Sequence, residues 1–95
     1  MSVVKKIYIT AKEGKQAELQ AELLAMVEPS RNEEGCVSYD LFQIQEDPKT
    51  FMFLEVFESE EAFECHRNTE HFLNFKKVAG DFIESKESAV LNMLG

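Results

Sequence analysis

Residues 51–58, FMFLEVFE, limit the possible folds more than any other stretch of this chain. Aromatic and branched residues with no glycine or proline make a strand, and a strand's side chains alternate between two faces. Phe51, Phe53 and Phe57 share one face with Glu55, while Met52, Leu54 and Val56 share the other. Both faces are apolar. In a small antiparallel sheet one face is ordinarily polar and turned to water, so each side of this strand needs a cover. Helices of the same chain can supply one cover. The simplest second cover is another copy of the chain packed sheet to sheet, so a homodimer through sheet faces is expected.

The rest of the chain supplies the partners of that strand. Residues 3–11 (VVKKIYITA) alternate, with Ile7, Ile9 and Ala11 on one side and Lys6, Tyr8 and Thr10 on the other, which reads as a strand. Residues 15–32 read as a helix carrying Leu19, Leu23, Met26 and Val27 on one stripe. Pro29 should loosen its last turn, and Gly35 is placed to close it in a left-handed conformation. Residues 36–45 (CVSYDLFQIQ) form the next strand, with Val37, Tyr39 and Leu41 on one face, and the turn Glu46–Lys49 joins it to 51–58 as a hairpin. Ser59 caps a helix that runs to about Arg67 and buries Ala62, Phe63 and His66. Thr69 caps a second segment with Phe72, Phe75, Ala79, Phe82 and Ile83 at helical steps, and a last strand is expected near 86–93. The order β-α-β-β-α-β is that of an α+β, ferredoxin-like split βαβ sheet with its helices on one face.

Ninety-five residues accommodate a single domain, 1–95, and a composition 44% apolar with eight phenylalanines gives it a core. The longest apolar runs are too short to cross a bilayer, and Met1–Lys6 does not lead into an apolar stretch. No membrane association and no secretory signal are expected, and the cytoplasm is the expected compartment. Ten basic against eighteen acidic side chains leave −8, which disfavours nucleic acid; Lys5-Lys6 and Lys76-Lys77 read as solvated pairs. Cys36 and Cys65 lack metal or redox spacing and read as free thiols.

No nucleophile elbow, phosphate loop, dinucleotide fingerprint or zinc-protease motif occurs. His66 and His71 stand five residues apart, about 140° around a continuous helix, which makes a poor metal pair. No metal site and no cofactor are expected. Three polar residues fall on faces that should be buried. Glu55 interrupts a phenylalanine face, either tied to a donor or with its acidity weakened by burial and available as a proton acceptor. His66 lies one helical turn from Phe63 and is either a satisfied core histidine or a general acid–base. Tyr39 points with Val37 and Leu41, to pack and to donate one hydrogen bond. The phenylalanines read first as core, and they would also suit a pocket for a flat aromatic ligand.

The run Glu34-Gly35-Cys36-Val37-Ser38-Tyr39-Asp40-Leu41 resembles a segment of the antibiotic biosynthesis monooxygenase superfamily. The similarity continues through Asp47-Pro48, Phe53-Leu54-Glu55-Val56-Phe57-Glu58-Ser59, Glu61-Ala62-Phe63 with His66, and Thr69-Glu70-His71-Phe72. It implies a ferredoxin-like protomer that forms a dimeric α+β barrel, with a ligand pocket between each sheet and its helices. It also implies a small aromatic or quinol-like substrate, oxidised by dioxygen without metal or flavin once it is deprotonated. His66, Glu55 and Tyr39 are then the candidate catalytic residues, His66 as the principal proton-transfer group and Glu55 as its supporting or alternative carboxylate, with Phe53, Phe57, Phe63, His71 and Phe72 against the substrate.

Haem-degrading members carry a tryptophan where this chain has His66, an iron-binding histidine where it has Lys76, and an asparagine where it has Ile7. The resemblance therefore disfavours haem. An isomerase of a small hydroxy-carbonyl compound within the superfamily shares His66, Thr69 and His71, so isomerisation is a second reading. A non-catalytic dimer that binds an apolar metabolite is a third, from outside enzymology.

Overall fold

A computed structural model describes residues 2–95. The elements are strand β1 (Val3–Ala11), helix α1 (Gln16–Arg31), strands β2 (Cys36–Gln43) and β3 (Thr50–Phe57), helices α2 (Glu60–Arg67) and α3 (Glu70–Ala79), and strand β4 (Ile83–Leu91). They build one antiparallel sheet in the order β2-β3-β1-β4, the expected ferredoxin-like α+β fold. β3 is central, and its burial alternates as its sequence requires: Phe51, Phe53, Glu55 and Phe57 are buried, and the residues between them are half-exposed. The buried side meets Leu19, Leu23 and Met26 of α1 and Phe75 and Ala79 of α3 in one core. On the opposite side of the sheet, Val4, Tyr8, Met52, Leu54 and Val56 stay half-buried, and Phe42 is 49% exposed.

Pro29 lies inside α1, which runs two residues further and closes with a tight bond from Glu33 N–H to the Ser30 carbonyl (3.1 Å). Three local expectations are corrected. Gly35 is not left-handed, since among the described residues only Gly14 has a positive φ (80°). Gly35 is needed for space: a Cβ there would overlap the Cβ of Ala62 on α2. Val37 is 60% exposed although it alternates with buried Tyr39, because a bulge between Cys36 and Ser38 turns it out of the core. β4 begins at Ile83, three residues before the expected start and within the apolar stripe that the spacing assigns to the helix. A 3₁₀ turn, Gly80–Phe82, keeps Phe82 and Ile83 against the core while ending the α-helix, so the apolar spacing outlasts it.

Candidate active site

Glu55 sits in the middle of β3, with Tyr39 of β2 on one side and Lys5 of β1 on the other as its cross-strand neighbours. α2 crosses above it. Ser59 Oγ accepts from Ala62 N–H and sets the start of α2 so that Phe63 and His66 point at the sheet. Asn68 ends that helix, and Thr69 ties the break together. Its hydroxyl donates to the His66 carbonyl (2.7 Å) and accepts from Phe72 N–H (3.2 Å), which starts α3 in a new direction.

That break overturns the spacing argument about the histidines. His66 and His71 do not lie on one continuous helix, and their rings converge, with centroids 6.1 Å apart. Both donate to one oxygen of Glu33 in the loop after α1: His66 Nδ1 at 2.8 Å and His71 Nε2 at 2.6 Å. A carboxylate accepts, so the partner places the His66 proton on Nδ1 and leaves Nε2 as a lone pair in the neutral ring. Nε2 faces Glu55 Oε1 at 4.0 Å, and neither atom has a hydrogen-bond partner among the described residues although both are buried. Aromatic rings enclose the imidazole: Phe57 at 4.9 Å, Phe72 at 5.1 Å and Tyr39 at 5.4 Å between centroids.

The environment sets the protonation of each group. Burial pushes the Glu55 carboxyl up to about 7, against a downward pull from Lys5 and Lys86. Burial also lowers the affinity of His66 for a second proton, opposed by its bond to Glu33. The Tyr39 phenol is pushed up by burial and by Glu55, so it keeps its proton. The Cys36 thiol rises to about 11, chiefly through burial, and is no nucleophile at neutral pH; Cys65 is exposed on α2.

A cleft of about 240 Å³ opens between the sheet and helices α2 and α3, lined by Lys5, Ile7, Glu55, Phe63, Arg67, Phe72, Lys76, Lys86 and Ser88. A narrow extension of about 30 Å³ runs behind Glu55 to Tyr39, Phe53 and Phe75. Of the residues expected at the site, Glu55, Phe63 and Phe72 line the cleft, and Tyr39 and Phe53 line its extension. His66 and Phe57 are packed behind it and His71 lies beyond them, none of the three lining the cleft. Glu33 and the cations of the rim are site residues that no motif in the sequence marks. Lys5 was read as solvated, yet it is half-buried, with Nζ 4.4 Å from the centre of the Phe63 ring. Its parity with Ile7 and Ile9 was the available signal.

Glu33, His66 and His71 also carry donor atoms within 4.8 Å of one another, a set that could hold a metal ion. Two of these separations, 2.6 and 2.8 Å, are hydrogen bonds. Tetrahedral donors about 2.0–2.1 Å from a zinc ion sit about 3.3 Å apart, so the set would have to open to admit one.

The family model described as antibiotic biosynthesis monooxygenase matches residues 2–78. The chain belongs to that family. It is 38% identical over 73 residues to the Bacillus subtilis protein named "Putative monooxygenase YcnE", with 77% of each chain covered. It is 37% identical over 65 residues to "Putative monooxygenase Rv0793" of Mycobacterium tuberculosis, covering 68% of this chain and 63% of that one. The crystal structure of PA3566 from Pseudomonas aeruginosa superposes with a TM-score of 0.95 at 36% identity, over 99% of this chain and 95% of the other. This family member has no helix, among its described residues, long and apolar enough to cross a membrane.

Proposed function

We propose that this antibiotic biosynthesis monooxygenase family member is an oxygenase of a small quinol-like or other phenolic substrate, with Glu55 as the proton acceptor. The observation that carries the reading is Glu55 itself: a buried carboxyl with an unpartnered oxygen, on the floor of a cleft walled by Phe63 and Phe72. An acid whose proton affinity lies near neutrality takes a phenolic proton far more readily than an exposed carboxylate does. His66 does not line the cleft, so it acts through Glu55 as a positioning residue. Its Nε2 lone pair, held toward Glu55 by the Nδ1–H···Glu33 bond, can share the captured proton. The names of the similar proteins from Bacillus subtilis and Mycobacterium tuberculosis support an oxygenase.

The chemistry needs no electron donor beyond the substrate. A deprotonated quinol passes an electron to dioxygen, and the two radicals combine at a ring carbon. Loss of water then leaves one oxygen atom on the ring as a hydroxyquinone: quinol plus O₂ gives hydroxyquinone plus H₂O. The protein contributes a base, an oriented ring and a site poor in water. In the same reading the chain works as a homodimer whose sheets pack face to face, supported by the apolar side of β3 that the chain's own helices leave uncovered. The test is oxygen uptake with 2-methyl-1,4-naphthohydroquinone, with ¹⁸O₂ to trace the label. Enzyme-dependent uptake with one labelled atom in the product is expected; uptake no faster than autoxidation overturns the reading.

A further inference from the structure

The chain carries a formal charge of −8, yet four of its ten basic side chains gather at one cleft. Lys5, Arg67, Lys76 and Lys86 rim it, and among the described residues Glu55 is the only acid that lines it. Four elements contribute: Lys5 from β1, Arg67 from α2, Lys76 from α3 and Lys86 from β4. Among the described residues no ion pair offsets the three lysines, although Lys5 rests over the Phe63 ring. Arg67 reaches Glu64 at 3.6 Å on exposed surface, and Lys5, Lys76 and Lys86 form no ion pair. Lys86 gives up its proton more readily than an ordinary lysine, first because of burial and then because Lys5 and Lys76 stand close by. Nor do these cations exist to hold Glu55 ionised, because burial still outweighs them there. An arrangement of like charges that destabilises the empty site is explained when the ligand supplies the opposite charge.

We infer that the cleft takes an aromatic ligand bearing a fixed anionic group, a carboxylate or a phosphate, seated among Lys5, Lys76 and Lys86 with its ring against Phe63 and Phe72. A volume of about 240 Å³ suits a ring system of one or two rings, below the usual range for drug-sized ligands. This rests on the oxygenase reading only for the placement of the ligand's hydroxyl at Glu55. The preference for an anion stands apart from turnover, and it gives the acidic protein a locally positive entrance.

Binding to the intact protein tests it, using 1-hydroxy-2-naphthoate, 1-naphthyl phosphate and uncharged 1-naphthol as probes in calorimetric titrations. At least one anionic probe is expected to bind about tenfold or more tightly than 1-naphthol at low salt, with the advantage shrinking as salt screens it. The better anion identifies the group. Lys76→Gln and Lys86→Gln, both on the rim of the cleft, are expected to erase that advantage, while Lys77→Gln, outside the cleft, preserves it. Equal affinity for charged and neutral probes, no binding of either anion, or an advantage that survives Lys76→Gln/Lys86→Gln overturns the inference. Anion-selective binding without oxygen uptake would remove the oxygenase reading and leave this one. Uptake from a neutral quinol with no anion preference would do the reverse.

Discussion

Replacing Glu55 by glutamine should move stability and activity in opposite directions. Glutamine keeps the shape of the side chain and removes its titration. The carboxyl is 2% exposed, and burial raises it from an ordinary 4.5 to about 7. The folded state thus holds the proton more tightly than the unfolded chain. The resulting cost is absent below the unfolded value, grows as pH rises through the interval, and is complete above about 7. A difference of this size amounts to about 3 kcal/mol. The amide left in its place is still a buried polar group, so the gain falls below that figure. For a domain of this length each kcal/mol moves Tm by about 4–8 °C, so Glu55→Gln is expected to melt about 10 °C higher than wild type near pH 8. Near pH 4 the two should nearly coincide. Oxygen consumption should fall by about 10²–10⁴-fold, the usual worth of a positioned base. Calorimetry across pH and an oxygen electrode read the two effects. Equal melting temperatures near pH 8, or a gap that persists in acid, would refute the burial argument. Full activity in Glu55→Gln would refute the role.

Glu33→Gln weakens the acceptor that His66 and His71 share, so His66, now pulled upward by that carboxylate, should titrate at still lower pH by NMR. Stability should drop by about 1–3 kcal/mol, and an unmoved His66 titration would contradict the assignment. Gly35→Ala forces a methyl group into Ala62 and should cost about 1–3 kcal/mol in denaturant titrations, with Ala62→Gly restoring most of it; a neutral Gly35→Ala would show the contact to be loose. Leu54→Asp places a charge on the uncovered sheet face, where burial against a second copy would cost several kcal/mol. Sedimentation should show wild-type dimers and variant monomers, and a dimeric variant would rule out packing through that face.

The fold was legible because its signals were local and redundant. The two-residue alternation of β1 and β3, the caps at Ser59 and Thr69 and the stripe Leu19-Leu23-Met26 each specify one element, and together they admit few topologies. The inner part of the site followed from parity: Glu55 shares a face with Phe53 and Phe57, and His66 shares a helix face with Phe63. What escaped depended on geometry between elements. The break at Asn68 swings His71 toward Glu33, 38 residues away in the chain, and no period within one helix contains that contact. Lys86 reaches the cleft because the β1–β4 register shifts between Ala11↔Ile83 and Thr10↔Ser85, so that Lys86 pairs with Ile9 rather than with Tyr8, and the sequence of β4 carries no mark of that shift. Val37 is turned outward by a bulge, which leaves the apolar alternation intact and is invisible in it.

Whether Glu55 accepts the substrate's proton is read from the pH dependence of kcat/KM for oxygen consumption. With 2-methyl-1,4-naphthohydroquinone as substrate, wild-type kcat/KM should rise with pH through a single ionisation near 7, the value to which burial raises Glu55. Glu55→Gln should lose that limb and leave only a slow, flat background. If the limb near 7 persists in Glu55→Gln, the proton goes to another group and Glu55 is not the base.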